Sequence, residues 1–192
     1  LGILVQQIIV GLAMGLAMRV VFAAVDMAGE LIGLQMGLGF ATFFDPQHGN
    51  NALVVAQLLG LLTTLFFLAL NGHLLIVSTL AESFTALPVG ARLFGPQAAF
   101  SLVAWGGQIF LAGLTLALPV LAALLITNLA LGVLTRTAPQ LNIFAVGFPI
   151  TLMLGFFMLA LALPYLTAPL ERLLTSGLST ALEIARQAGA AP

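Results

Sequence analysis

Apolar residues run along this chain in long blocks, and short polar clusters mark where the blocks end. The first block, Leu1 to about Phe44, reads as a helical region too long for one simple span and carries Arg19, Asp26 and Glu30. It stops at Asp45-Pro46-Gln47-His48-Gly49-Asn50-Asn51, a strong turn signal. A membrane-spanning helix needs roughly 20 apolar residues. Ala52 to Leu70, 19 residues without a charge, is therefore the cleanest spanning candidate. Asn71-Gly72-His73 makes a tight break, and a shorter stretch from Leu74 to Leu87 ends at Pro88 and contains Glu82. Its 14 residues suit a half-buried or partner-packed helix better than a full span.

After a loop from Pro88 to Gln97, the block Ala98 to Leu134 contains Pro119. A straight helix of that length would measure about 55 Å, well beyond a hydrocarbon core of ~30 Å. Pro119 is expected to kink it or to form a hairpin corner. The polar segment Thr135 to Asn142 leads into Ile143 to Leu163, a further spanning-length run that holds Pro149. From Pro164 the pattern changes. Leu166, Leu170, Leu173, Leu174, Leu178, Ala181, Leu182 and Ala185 recur at helical spacing, with Arg172, Thr175, Ser176, Ser179, Glu183 and Arg186 on the other side. This predicts an amphipathic C-terminal helix over residues 165–187, lying at an interface or against a partner. There is no solenoid repeat or low-complexity tract, so residues 1–192 read as one domain.

Composition decides what surrounds these helices. Of 192 residues, 61% are hydrophobic and 6% are charged, where soluble domains average about 25% charged. Five arginines, six carboxylates and no lysine cannot build a water-facing surface, so most flanks must meet lipid or other apolar helices. The fold class expected is all-α, a helical membrane protein of bent or broken hairpins. A net charge of −1 without basic clusters excludes a nucleic-acid partner. Absence of cysteine removes disulfides, thiolate chemistry and Cys-ligated metal. The sequence opens inside an apolar run (Leu1 to Val5) without a signal-peptide pattern, which implies residues before Leu1.

Arg19, Asp26 and Glu30, spaced by seven and four, form a polar seam along one stripe of the first helix. An ionisable group in hydrocarbon costs about 2.5–3.5 kcal/mol on insertion scales. Facing lipid is thus disfavoured; the seam either lines a conduit or proton path, or forms a buried ion pair that fixes subunit register. Gly29, Gly33 and Gly37 recur every four residues, and Gly11 and Gly15 repeat the device earlier. Such spacing permits close helix packing, with a bendable helix as the competing account. Next comes a stretch in which Gly37 and Gly39 precede Phe40, Phe43 and Phe44, ending at Asp45-Pro46. The phenylalanines read either as an apolar constriction that excludes water and ions or as core aromatics closing a hairpin. Physics alone favours the second. His48 and His73 stand far apart without carboxylates at ligand spacing, and no phosphate loop, nucleophile elbow or zinc motif occurs, so no enzyme, metal or cofactor is indicated.

Two stretches add to this reading. Gly29-Glu30-Leu31-Ile32-Gly33-Leu34-Gln35-Met36-Gly37-Leu38-Gly39-Phe40-Ala41-Thr42-Phe43-Phe44-Asp45-Pro46 and Ala138-Pro139-Gln140-Leu141-Asn142-Ile143-Phe144-Ala145-Val146-Gly147-Phe148-Pro149, with Asn71-Gly72-His73, closely resemble the FliR family of flagellar biosynthetic proteins. That family is related to the equivalent subunit of type III secretion injectisomes, and its members carry a further hydrophobic segment at the start. The resemblance implies a pore-forming, non-enzymatic subunit that assembles with FliP and FliQ into the export gate of the flagellar basal body, with FlhB at the entrance. Unfolded flagellar proteins pass through that gate. It further implies an inner-membrane location with part of the assembly above the membrane plane. Phe40, Phe43 and Phe44 become the pore plug, with Gly37, Gly39, Asp45 and Pro46 as its hinge and turn. This reverses the preference for core aromatics. Injectisome relatives tend to carry a lysine shortly after the second motif's proline, whereas Pro149 is followed by Ile150-Thr151-Leu152. Flagellar is favoured. A small-solute secondary transporter, which would also use broken helices and intramembrane charges, predicts an inverted repeat that the sequence lacks.

Overall fold

A computed structural model describes residues 2–40, 54–86, 95–138 and 143–189. All regular structure among them is helical: α1 (Gly2–Gln35), a 3-10 turn (Leu38–Phe40), α2 (Val54–Ala69), α3 (Gly72–Ala86), α4 (Pro96–Gly106), α5 (Gln108–Thr137) and α6 (Ile143–Gly189).

Three long helical rods make the body, and residue order in the core gives their directions. Val10 to Ala17 of α1 packs with Ala98 and Leu102 of α4 and with Ala181, Ile184 and Ala185 of α6. One level along, Met18, Val21 and Ala24 meet Trp105, Ala112, Leu173 and Leu174. Further along, Val25 to Met36 meets Leu116, Val120 and Leu124 of α5 and Leu159, Ala162 and Leu166 of α6. Numbers rise together in α1 and α4–α5 and fall in α6, so α1 and α5 pack on each other in parallel and α6 runs back antiparallel against both. α2 lies antiparallel along α1, with Val55 and Leu59 near Val25 to Met36 and Phe67 beside Phe22. α3 rests on α6.

Small residues allow these rods to approach. A Cβ on Gly113 would lie 2.9 Å from the Ala24 carbonyl oxygen, and one on Gly177 would lie 2.6 Å from Val21 Cγ2. Ala17 and Ala24 are themselves fully buried. With no Cβ at these glycines the helices pack in close van der Waals contact, which matters where lipid tails supply no hydrophobic drive for association.

Four boundary expectations need correction. The first helix does not continue to Phe44: it ends at Gln35, because Gly37 takes φ 88°. Only glycine enters that region cheaply. Replacing Gly37 by alanine should therefore lower stability by about 1–2 kcal/mol, read as a reduced thermal midpoint in detergent. Second, Ala52 to Leu70 is not the cleanest span: its helix, α2, has only 16 residues, shorter than a full crossing, and the expected break after it is a 67° bend into α3. Asn71, at φ 56°, makes the corner, and Gly72 is packed against the Phe67 ring.

Third, Pro119 is no hairpin corner. α5 passes through it unbroken, and the interruption falls at Gly107, between Gly106 and Gln108. Proline forfeits one i→i−4 bond, but Leu116, Ala117 and Val120 stay buried on one face and hold the turn in place. Fourth, α6 does not restart after Pro164. It is continuous for 47 residues through Pro149, Pro164 and Pro169. One buried stripe, Leu159, Ala162, Leu166, Leu173, Leu174, Ala181, Ile184 and Ala185, runs along it at 3–4-residue and 7-residue steps. That unbroken apolar face outweighs three missing backbone bonds. The polar residues Arg172, Thr175, Ser176, Ser179, Glu183 and Arg186 remain exposed opposite it.

Candidate functional site

The aromatic segment follows α1 in the sequence, and the described residues define its root. At the helix terminus the last carbonyls lose their intrahelical partners. Thr151 of α6 meets one of them: its hydroxyl lies 3.3 Å from the Met36 carbonyl oxygen and 3.0 Å from that of Phe148. Met36 is wholly buried, and Leu38 packs beside it on the same cluster. Gly155, one turn beyond Thr151, leaves room for the Met36 side chain, whose Cγ would lie 2.5 Å from a Cβ there. Met36, midway through the first sequence motif, thus sits on the turn of α6 that follows Pro149 of the second. Thr151 and Gly155 were missed by sequence reasoning, since neither carries a chemical signature.

Phe40 closes the 3-10 turn. Phe43, Phe44, Asp45 and Pro46 lie outside the described residues, as does His48. Gly39 lies over Leu34, where a Cβ would come 3.0 Å from Leu34 Cδ2.

The glycine stripe divides. Gly29 faces α2 so closely that a Cβ would lie 2.6 Å from the Ala56 nitrogen, so this position serves packing within the chain. Gly33 is buried, whereas Gly11 and Gly15 face open space.

In the polar seam, Arg19 Nη2 lies 3.4 Å from Asp26 Oδ2, with the two side chains 66% and 37% exposed. Glu30 is exposed and outside this pair. Asp26 sits at the crossing with α2, where a Cβ on Gly60 would touch its Oδ1 at 3.4 Å. In water such a pair contributes only about 0–1 kcal/mol. Against an apolar neighbour it acts differently, because pairing spares α1 two isolated charges. His73 is exposed, and no group of three or more metal-ligating side chains occurs among the described residues.

The outer surface is oily. Leu12, Phe100, Val103, Phe110, Met153 and Tyr165 are all more than two-thirds exposed. Among the described residues, Ile3–Gln35, Pro96–Thr137 and Val146–Gln187 are each long and apolar enough to cross a membrane. These features define an all-α membrane protein.

The chain belongs to the bacterial export proteins, family 1, which it matches over residues 1–177. It is similar to the flagellar biosynthetic protein FliR of Pectobacterium carotovorum subsp. carotovorum, 53% identical over 171 residues, covering 89% of this chain and 66% of that protein. FliR of Escherichia coli (strain K12) is 48% identical over 173 residues, covering 90% and 66%. FliR of Bacillus subtilis (strain 168) is 34% identical over 157 residues, covering 80% and 61%. The chain therefore spans about two-thirds of the length of these curated relatives.

Proposed function

We propose that the chain is a non-enzymatic, pore-forming subunit of the flagellar type III protein-export gate in the bacterial inner membrane, and that its Gly37–Pro46 segment plugs the closed channel. Similarity to flagellar FliR proteins over most of the chain carries this reading. The clamped root of the aromatic loop supports it: a plug must be held at its base if it is to return to one position after each opening. Met36, gripped by Thr151 and Gly155, supplies such a base, and Gly37 supplies the change of direction.

In this reading FliP and FliQ cover exposed apolar faces of the rods, and FlhB lies at the entrance. The Arg19, Asp26 and Glu30 seam sets register among those subunits, with Glu30 available to a partner's cation. Unfolded flagellar proteins are the cargo, and part of the assembly stands above the membrane plane. Sealing follows from dehydration, since an ion entering an apolar constriction loses water without gaining polar contacts.

The test is Phe40→Ala combined with Phe43→Ala in the assembled gate, read as ion conductance across a planar bilayer. A raised resting conductance with normal assembly is expected. Unchanged conductance in a correctly assembled double variant would remove the plug assignment.

A further inference from the structure

A groove of about 470 Å³ opens on the outer face of the molecule where α5 begins and the second half of α6 returns. Its lining has two characters. Leu116, Ala168 and Pro169 make one end mainly apolar, with Thr115 beside them, whereas Gln108, Arg172 and Ser176 lie toward the other end next to the Trp105 ring, whose N–H is donated to the Ala17 carbonyl. The antiparallel course of α5 and α6 produces this separation, because low numbers on α5 face high numbers on α6. Arg172 is exposed at the groove and enters no ion pair among the described residues. Among the described residues no carboxylate lines the groove.

An occupant must therefore pair an anionic head with an apolar body. The groove runs from Gln108 to Leu116, eight residues, which is about 12 Å of helix at 1.5 Å per residue. That is little more than two turns, too short to seat a partner helix along a continuous stripe. It suits a lipid headgroup and the first part of its acyl chains. A guanidinium binds phosphate oxygens in a fork, and tryptophan with arginine is the pairing found at membrane–water boundaries. A zwitterionic headgroup would bring an ammonium group for which the groove has no carboxylate.

We propose that this groove is a binding site for an anionic phospholipid, with its phosphate on Arg172, Gln108 and Ser176 and its acyl chains along Leu111, Leu116 and Leu173. The site does not depend on the plug reading.

The test uses the full chain, in complex with its partners, incubated in detergent with phosphatidylglycerol or phosphatidylcholine and examined by native mass spectrometry. Retained phosphatidylglycerol in preference to phosphatidylcholine is expected, with occupancy falling about tenfold or more in Arg172→Gln. Thr115→Phe, which fills the groove from an exposed position and leaves Arg172 intact, should also displace the lipid. Equal retention of both lipids, or phosphatidylglycerol retention unaffected by either variant, would overturn the site. So would a photo-cross-linker at Ser176 that labels a protein segment instead of lipid. Because lipid occupancy is read without any measurement of conductance, failure here is distinguishable from failure of the plug.

Discussion

Gly29→Ala should destabilise the isolated chain by about 3 kcal/mol or more, the upper part of the range for overpacking. Most overpacked sites relax by moving a flexible side chain. At Gly29 the opposing atoms are the backbone of Ala56, with the nitrogen at 2.6 Å and the Ala56 Cβ at 3.0 Å from the new methyl group. Carbon contacts are comfortable at roughly 3.5–4.0 Å, so α1 and α2 must move apart along their whole crossing. Separation would also loosen Val25, Ala28 and Ile32 from Val55 and Leu59, which share one buried cluster. The loss is a large share of a typical folding free energy of about 5–15 kcal/mol. Gly15→Ala is the matched control. Nothing lies within 4 Å of a Cβ there, and alanine is favoured over glycine within a helix by about 1 kcal/mol. Thermal unfolding in detergent should thus move in opposite directions for the two variants. An equal loss in both would mean that general helix properties, rather than the α1–α2 crossing, govern position 29.

The same comparison shows what could be read from sequence and what could not. The break at Asn71-Gly72 was legible because it depends on local conformation: asparagine and glycine accept backbone angles that apolar residues avoid. Polar and apolar sides of residues 165–187 were legible because burial follows a 3.6-residue period. Proline misled at Pro164, and at Pro119 in its hairpin-corner alternative. Its cost is local and visible, whereas the packing that offsets it comes from residues more than 80 positions away in sequence, such as Met18 and Val21 against Leu173 and Leu174. Glycine spacing was informative about close approach but not about its direction. Gly29 and Gly15 look alike in sequence, yet one meets Ala56 and the other meets open space. The aromatic loop was legible as a motif, and its clamp was not, since Thr151 and Gly155 gain their roles only when α6 lies across the end of α1.

Trp105→Ala should be the most damaging change on the α4–α5 rod, costing about 3–5 kcal/mol as expected for truncating a packed tryptophan. Trp105 is partly buried against two clusters at once, the set around Val10 to Ala17 and the set around Met18 to Ala24. It therefore joins two levels of the three-rod body at the point where the rod itself is interrupted by Gly107. Its indole N–H donates to the Ala17 carbonyl oxygen at 2.9 Å. Ala17 is itself fully buried. Truncation would leave a cavity bounded by α1, α5 and α6, and the rod break would lose its cross-brace. Trp105→Phe separates the two contributions, since it keeps most of the ring volume and deletes the donor. The Ala17 carbonyl lies within α1 and keeps its helical partner, so this variant should lose only about 1 kcal/mol. Because Trp105 is the only tryptophan, unfolding of the variants is followed by far-ultraviolet circular dichroism rather than by fluorescence. Similar losses for alanine and phenylalanine would assign the bracing to the hydrogen bond; a loss confined to alanine assigns it to the volume that holds the two levels together.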